Sequence, residues 1–200
     1  MNIRPDLKII CDIVEPNAKV LDIGCGEGEL LSALKQTKNT SGRGIELDQN
    51  NVSKCLAAGL SVMQGDVNTD LEHYPSDSFD YTLLTHTLQV TKHPDLVLKE
   101  MLRIGKKAIV GVPNFGYWRN RWQLLLNGKM PVTKKLSYEW FETPNIHFCT
   151  IRDFVTLCKD LDIKIEKRLA INSANKIITF SGSGGIANIF GEQGIFLLSK

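Results

Sequence analysis

Seven consecutive residues, Asp22-Ile23-Gly24-Cys25-Gly26-Glu27-Gly28, hold the densest chemistry in this sequence of 200 residues. Glycine tolerates positive φ and lets a ligand come close to the backbone. A helix opening just after such a turn adds partial positive charge. The spacing narrows the choice of ligand. A dinucleotide site calls for Gly-x-Gly-x-x-Gly. Here Glu29 stands where the last of those glycines would be, and it would face a pyrophosphate unfavourably. The Gly-Lys-Ser/Thr ending of a P-loop is absent as well.

S-adenosylmethionine (SAM) fits this loop better because it carries no phosphate. It offers a sulfonium, an amino group, a carboxylate, a ribose and an adenine. Asp22 suits the cationic amino group, directly or through water. Glu46 follows in Gly44-Ile45-Glu46-Leu47, where an acid can accept both ribose hydroxyls. Asp66 and Val67, in Gln64-Gly65-Asp66-Val67, are placed to accept the adenine amino group and to pack on the ring. Singly, each has a plainer role: a generic turn, a solvated carboxylate, a helix cap. In order, at the ends of successive strands, they describe one site. Its expected members are Asp22, Gly24, Cys25, Gly26, Gly28, Glu46, Leu47, Asp66, Val67 and Thr85. Cys25 reads as a small packing residue, since no basic partner is near in sequence.

These segments resemble the successive motifs of class I SAM-dependent methyltransferases. The resemblance implies a Rossmann-like, seven-stranded sheet with the last strand antiparallel. It also implies a cofactor lying across the ends of the first strands.

The elements needed to hold such a site are legible as periodicity. Leu7, Ile10, Cys11 and Val14 follow a helical period after Pro5. Strands are expected at 19–23, 44–47, 61–64, 79–84 and 107–112. Helices are expected at 29–36, 48–58 (stopped by Gly59) and 93–104, the last with Leu96, Val97, Met101 and Leu102 available for packing. This alternation predicts βαβ units and a doubly wound, mostly parallel α/β fold. The pattern breaks at Pro113. A helix is expected from about Tyr117 to Leu126, then irregular chain to Phe148. Thr150-Ile151-Arg152-Asp153 reads as a capping box opening a helix to about Asp160. A sixth strand is expected at 163–169, a Gly/Ser turn or loop at 181–185 and a last strand at 194–198.

Composition bounds the rest. With 42% hydrophobic residues, the chain suits one sizeable core, so residues 1–200 are expected to form a single domain, with 113–149 inserted after the fifth strand as a lid or an interface. A net charge of +2 gives no strong pull toward nucleic acid or membrane. The insert carries five Lys/Arg (Arg119, Arg121, Lys129, Lys134, Lys135) against Glu139 and Glu142, too small an excess for a nucleic-acid surface. Five cysteines without CxxC spacing argue against a disulfide framework or a zinc site, and for reduced thiols in a cytoplasm. No metal is expected. The start of the chain, from Met1 and Asn2, shows no secretory pattern.

The insert and its flanks narrow the family. Asn2 to Leu7, Leu88-Gln89, Pro113 to Arg119, Gly128 to Thr133 and Thr143 to Phe154 are similar to the methionine-biosynthesis MetW proteins. That resemblance implies a SAM-binding protein that supports the homoserine O-acyltransferase MetX. The alternative is a SAM-dependent methyltransferase acting on a small molecule. For the latter, Thr85, His86, Thr87 and Gln89 lie where catalytic groups are expected. His86 is the candidate base, its plainer role being a packed histidine at a strand end. His147 lines an acceptor pocket or orders a lid. The insert holds all three tryptophans, and Trp118, Trp122 and Leu125 or Leu126 share a helical face. The plain expectation is that this face covers the sheet; the sharper one is that it meets a partner.

Overall fold

The computed structural model describes residues 3–133, 136 and 138–200; Met1, Asn2, Lys134 and Lys135 of the readings above lie outside them. The elements run α1 (Pro5–Ile13), β1 (Lys19–Ile23), α2 (Glu29–Lys38), β2 (Ser41–Glu46), α3 (Gln49–Ala57), β3 (Ser61–Gln64), β4 (Phe79–Thr85), α4 (Pro94–Ile104), β5 (Gly105–Pro113), α5 (Trp118–Asn127), α6 (Ile151–Asp160), β6 (Lys164–Ile171), β7 (Ile177–Thr179), α7 (Gly185–Phe190) and β8 (Gln193–Ser199). They build one sheet in the order β3-β2-β1-β4-β5-β8-β6-β7. Strands β1 to β5 pair in parallel. Strand β8 runs antiparallel between β5 and β6.

The sheet is doubly wound, as the alternation predicts. Val20 of β1 faces α1 and α2, packing with Leu7, Ile10, Leu30 and Leu34. Leu21 and Ile23 face the other way, toward Val97, Leu98 and Met101 of α4. A strand buried on both faces must be apolar at nearly every position, which is how β1 reads. Phe154 of α6 and Phe196 of β8 meet at 4.4 Å between ring centroids and extend the same layer.

Four expectations need correction. The sheet has eight strands rather than seven. The extra strand, β7, pairs with β6 across a turn in which the Asn172 side chain accepts from the backbone of Ala174 and Lys176, at 3.0 and 2.9 Å. Residues Gly185 to Phe190, beyond the Gly/Ser turn, form a short helix. Leu96 is 52% exposed, because Val97, Leu98, Met101 and Leu102 set the buried face of α4 about one helical step away. Finally, α5 does not lay its aromatic face on the sheet. Trp122 and Leu125 are 55% and 71% exposed, and the buried residue of that helix is Asn120.

In the order 3-2-1-4-5, the chain leaves β1 toward one edge and β4 toward the other. The crevice at the carboxyl ends of β1 and β4 is therefore the expected binding place of such a sheet. The glycine loop opens there.

Candidate functional site

The loop is tight because its backbone is held. Both Gly24 and Cys25 donate their N–H to the carbonyl of Ile45, at 2.8 and 3.1 Å. Gly28 donates to Cys25 at 2.9 Å. Gly24, Gly26 and Gly28 have φ of 70, 54 and 78°, which side-chain-bearing residues rarely adopt. At Gly24 there is also no room: a Cβ would stand 2.5 Å from Thr87 Oγ1. The loop and the segment after β4 thus touch, across a strand pair.

Asp22 lies beneath the loop, 1% exposed. Its Oδ1 is buried without a hydrogen-bond partner. Burial, then the nearby Glu46 carboxylate, pushes its pKa up to about 7. A buried carboxylate with an unused oxygen is a costly arrangement unless a cation meets it.

Glu46 ends β2 and clasps the loop. Its Oε2 accepts from Gly26 N–H at 2.8 Å, and its Oε1 accepts from Asp48 N–H at 3.0 Å. Each oxygen keeps a lone pair for a ligand hydroxyl. Asp66 Oδ1 accepts from the backbone and side chain of Asn68, at 2.8 and 2.7 Å, which leaves Oδ2 for a ligand donor.

Five of the expected residues, Gly24, Glu46, Leu47, Asp66 and Val67, line one cleft of about 280 Å³. Larger hollows, of about 680 and 500 Å³, lie at α5 and Trp140 and beside Arg43 and Tyr74; only the smaller cleft combines the strand ends with these carboxylates. The other expected residues stand around it. Asp22 is below. Cys25 packs into a cluster with Leu31, Cys55 and Val62, where burial first, then Asp22, holds its thiol far above the ordinary range. Gly26 bonds Glu46, and Gly28 caps α2. Thr85 lies outside the cleft lining, its carbonyl taken by the Thr87 hydroxyl at 3.2 Å. Ile45, Asn68 and Val90 also line the cleft and were not foreseen; Ile45 and Asn68 are direct neighbours of foreseen residues, whereas Val90 carries no local signal.

His86 follows β4 with φ of 58°, and its Nε2 lies 3.2 Å from Oδ2 of the buried Asp6. Nothing in the sequence joins positions 80 residues apart. Gln89 donates to the carbonyl of His86 at 2.7 Å, and its own carbonyl accepts from Ile146 and His147 at 2.9 and 3.0 Å. The insert is thereby pinned beside the cleft.

The family of methionine biosynthesis protein MetW matches the chain over residues 4–198. The chain belongs to the MetW family. A bifunctional methionine biosynthesis protein MetXA/MetW of Rhodopirellula baltica is 33% identical to it over 178 residues, covering 84% of this MetW chain and 29% of that relative. The chain therefore spans under a third of the length of the relative it matches. Among solved structures, a SAM-dependent methyltransferase of Thermotoga maritima, described as a possible histamine N-methyltransferase, superposes with a TM-score of 0.71 at 19% identity over 98% of this chain and 87% of its own. One from Mesorhizobium loti gives 0.69 at 14% identity over 98% and 96%. These likenesses establish the methyltransferase-type Rossmann fold.

Proposed function

We propose that this MetW protein binds SAM in the cleft beneath the glycine loop and supports the activity of the homoserine O-acyltransferase MetX in methionine biosynthesis. Asp22 supports the first half of this reading. Its unpaired buried oxygen suits the cationic amino group of SAM. The spare lone pairs of Glu46 suit the ribose hydroxyls, Asp66 Oδ2 suits the adenine amino group, and Leu47 and Val67 supply apolar walls. The residues fit the ligand in charge, in donor count and in order along the strands. SAM supplies a recognisable product of the pathway, so its binding also suits control of the partner.

The observation that carries the second half is the joined MetXA/MetW chain of R. baltica. Fusion raises the effective concentration of two modules that work together. The insert offers a surface for such a partner. Trp122, Leu125, Leu126, Trp140 and Phe141 are all more than half exposed, and aromatic side chains of this kind anchor protein interfaces. In this reading 113–149 is an interface as well as a cover, and both proteins are cytoplasmic.

The test is acyltransferase assayed with and without this chain, in the presence and absence of SAM. A complex and a raised rate are expected. If SAM alters the partner's affinity, the partner must alter the affinity for SAM by the same factor. No complex and no change in rate would remove the partner role. Calorimetry that detects no SAM binding would remove the cofactor.

A further inference from the structure

His86, Asp6, Gln89 and His147 form a group that the accessory role does not use. The Nε2–H of His86 donates to Asp6 Oδ2 at 3.2 Å. Asp6 is 2% exposed, and Arg4 Nη2 lies 3.4 Å from the same oxygen. Arg4 in turn reaches Glu29 at 3.6 Å, on the first residue of α2. The turn that opens α1 is thus fastened between the segment after β4 and the helix after the glycine loop. With Nε2 committed, the imidazole keeps Nδ1, which makes no hydrogen bond within the described residues. An imidazole held by a buried carboxylate in one tautomer is the arrangement of a general base.

The neighbouring groups describe what such a base would act on. Gln89 is 7% exposed. Its Nε2 is spent on the His86 carbonyl, which fixes the amide so that Oε1 is the free end. That Oε1 is buried without a partner, and so is His147 Nε2. Both belong to residues bonded to each other through the Gln89 carbonyl. Buried polar atoms of this kind ordinarily have partners. Thr87, one residue from His86, touches Gly24 of the loop, so the group adjoins the cofactor cleft.

We propose that these residues form a second ligand site, which takes a short amino alcohol or hydroxy amino acid and lets the chain methylate its hydroxyl. The inference rests on the SAM reading above. SAM, when bound, supplies an electrophilic methyl carbon: the acceptor oxygen forms the new O–CH3 bond, the carbon–sulfur bond breaks with its electrons to sulfur, and the hydroxyl proton passes to His86 Nδ1. Gln89 Oε1 accepts a hydrogen bond from the ligand's ammonium and orients it. Asp6 is a positioning residue, acting through the imidazole. The charged groups facing His86 are Asp6 and, beyond it, Arg4.

The experiment uses the full chain with SAM and serine, homoserine or ethanolamine as probes, following S-adenosylhomocysteine and the methyl ether by mass spectrometry. SAM binding is measured in parallel by calorimetry. Turnover with at least one probe is expected. His86→Gln keeps a donor toward Asp6 and removes the base, so a loss of about 100-fold is expected with SAM affinity unchanged. Asp6→Asn is expected to lower kcat on the order of tenfold, leave KM nearly constant and be rescued in part by Asp6→Glu. Independently of turnover, 15N spectra of the SAM-free protein should show His86 as the Nε2–H tautomer in the wild type and as a mixture in Asp6→Asn. SAM bound without turnover of any probe overturns the proposal. Turnover indifferent to His86→Gln, or a tautomer indifferent to Asp6, also overturns it. Absence of SAM binding instead defeats the reading on which it rests.

Discussion

Asp22 is costly to the ligand-free protein, and the sign of that cost can be measured. Its folded pKa is raised from 3.8 to about 7. Between those values the folded chain holds a proton that the unfolded chain has released. Stability therefore falls as pH rises through this window, and the penalty is complete above pH 7. Three units correspond to about 4 kcal/mol as an upper figure. Asp22→Asn should flatten this dependence: its melting temperature should exceed that of the wild type at pH 8 and match it near pH 4. Binding a cation beside Asp22 expels the proton, so SAM titrated at pH 6 should release close to one proton per site. Calorimetry in two buffers of different ionisation enthalpy reads that number. No proton release would separate Asp22 from the ligand's amino group. Asp22, Glu46 and Asp66 were legible from sequence because each sits at a strand end beside its own turn signal. Asp6 was not, because its partner His86 comes from a distant strand and only the packing of α1 brings them together.

Elements held by side-chain hydrogen bonds, rather than by periodicity, are where sequence reading ran out. Asn114 shows why. Just past β5, its Nδ2 donates to the carbonyls of Asn188 and Gly191 at 2.9 and 2.7 Å. Its Oδ1 accepts from the N–H of Gly116 and Ile151 at 3.0 and 3.2 Å. One buried amide thus ties the entry to α5, the start of α6 and the end of α7. Helix α7 has six residues, and β7 has three; neither is long enough to display a period, and both exist because of what they join. By contrast β1, α2, α4 and the capped start of α6 carry their patterns within themselves and were foreseen. Asn114→Ala would leave four buried backbone groups unpaired. A loss of about 3 kcal/mol or more in urea unfolding is expected, with faster proteolysis between residues 128 and 148. A loss below about 0.5 kcal/mol would mean that water replaces the amide and that the insert is held some other way.

At the scale of the whole molecule, the apolar face of α5 is what a single chain does not explain. Arg119 lies over the Trp118 ring, 5.4 Å from its centroid, while Trp122, Leu125 and Leu126 stand 55%, 71% and 67% exposed. A contiguous exposed patch of this kind marks an interaction surface more often than a free one. Periodicity identified the shared face but not which way it turned, because an amphipathic stripe reads the same against a sheet and against a partner. The buried Asn120, which bonds the carbonyls of Asn114 and Phe115 at 3.3 and 3.4 Å, decides the orientation: its polar side is inward, so the aromatic side is outward. If that side meets the acyltransferase, Trp122→Ala and Leu125→Ala should each weaken the complex by about 2 kcal/mol, on the order of thirtyfold in Kd. Folding stability should change by less than about 0.5 kcal/mol, since neither side chain is in the core. SAM affinity should be unaffected in the isolated chain, because neither residue lines the cleft. Titrating labelled variants against the acyltransferase separates the outcomes. Weakened association with intact SAM binding assigns the face to the partner. Unchanged association would assign the partner to another surface and return α5 to the role of a cover over the acceptor side.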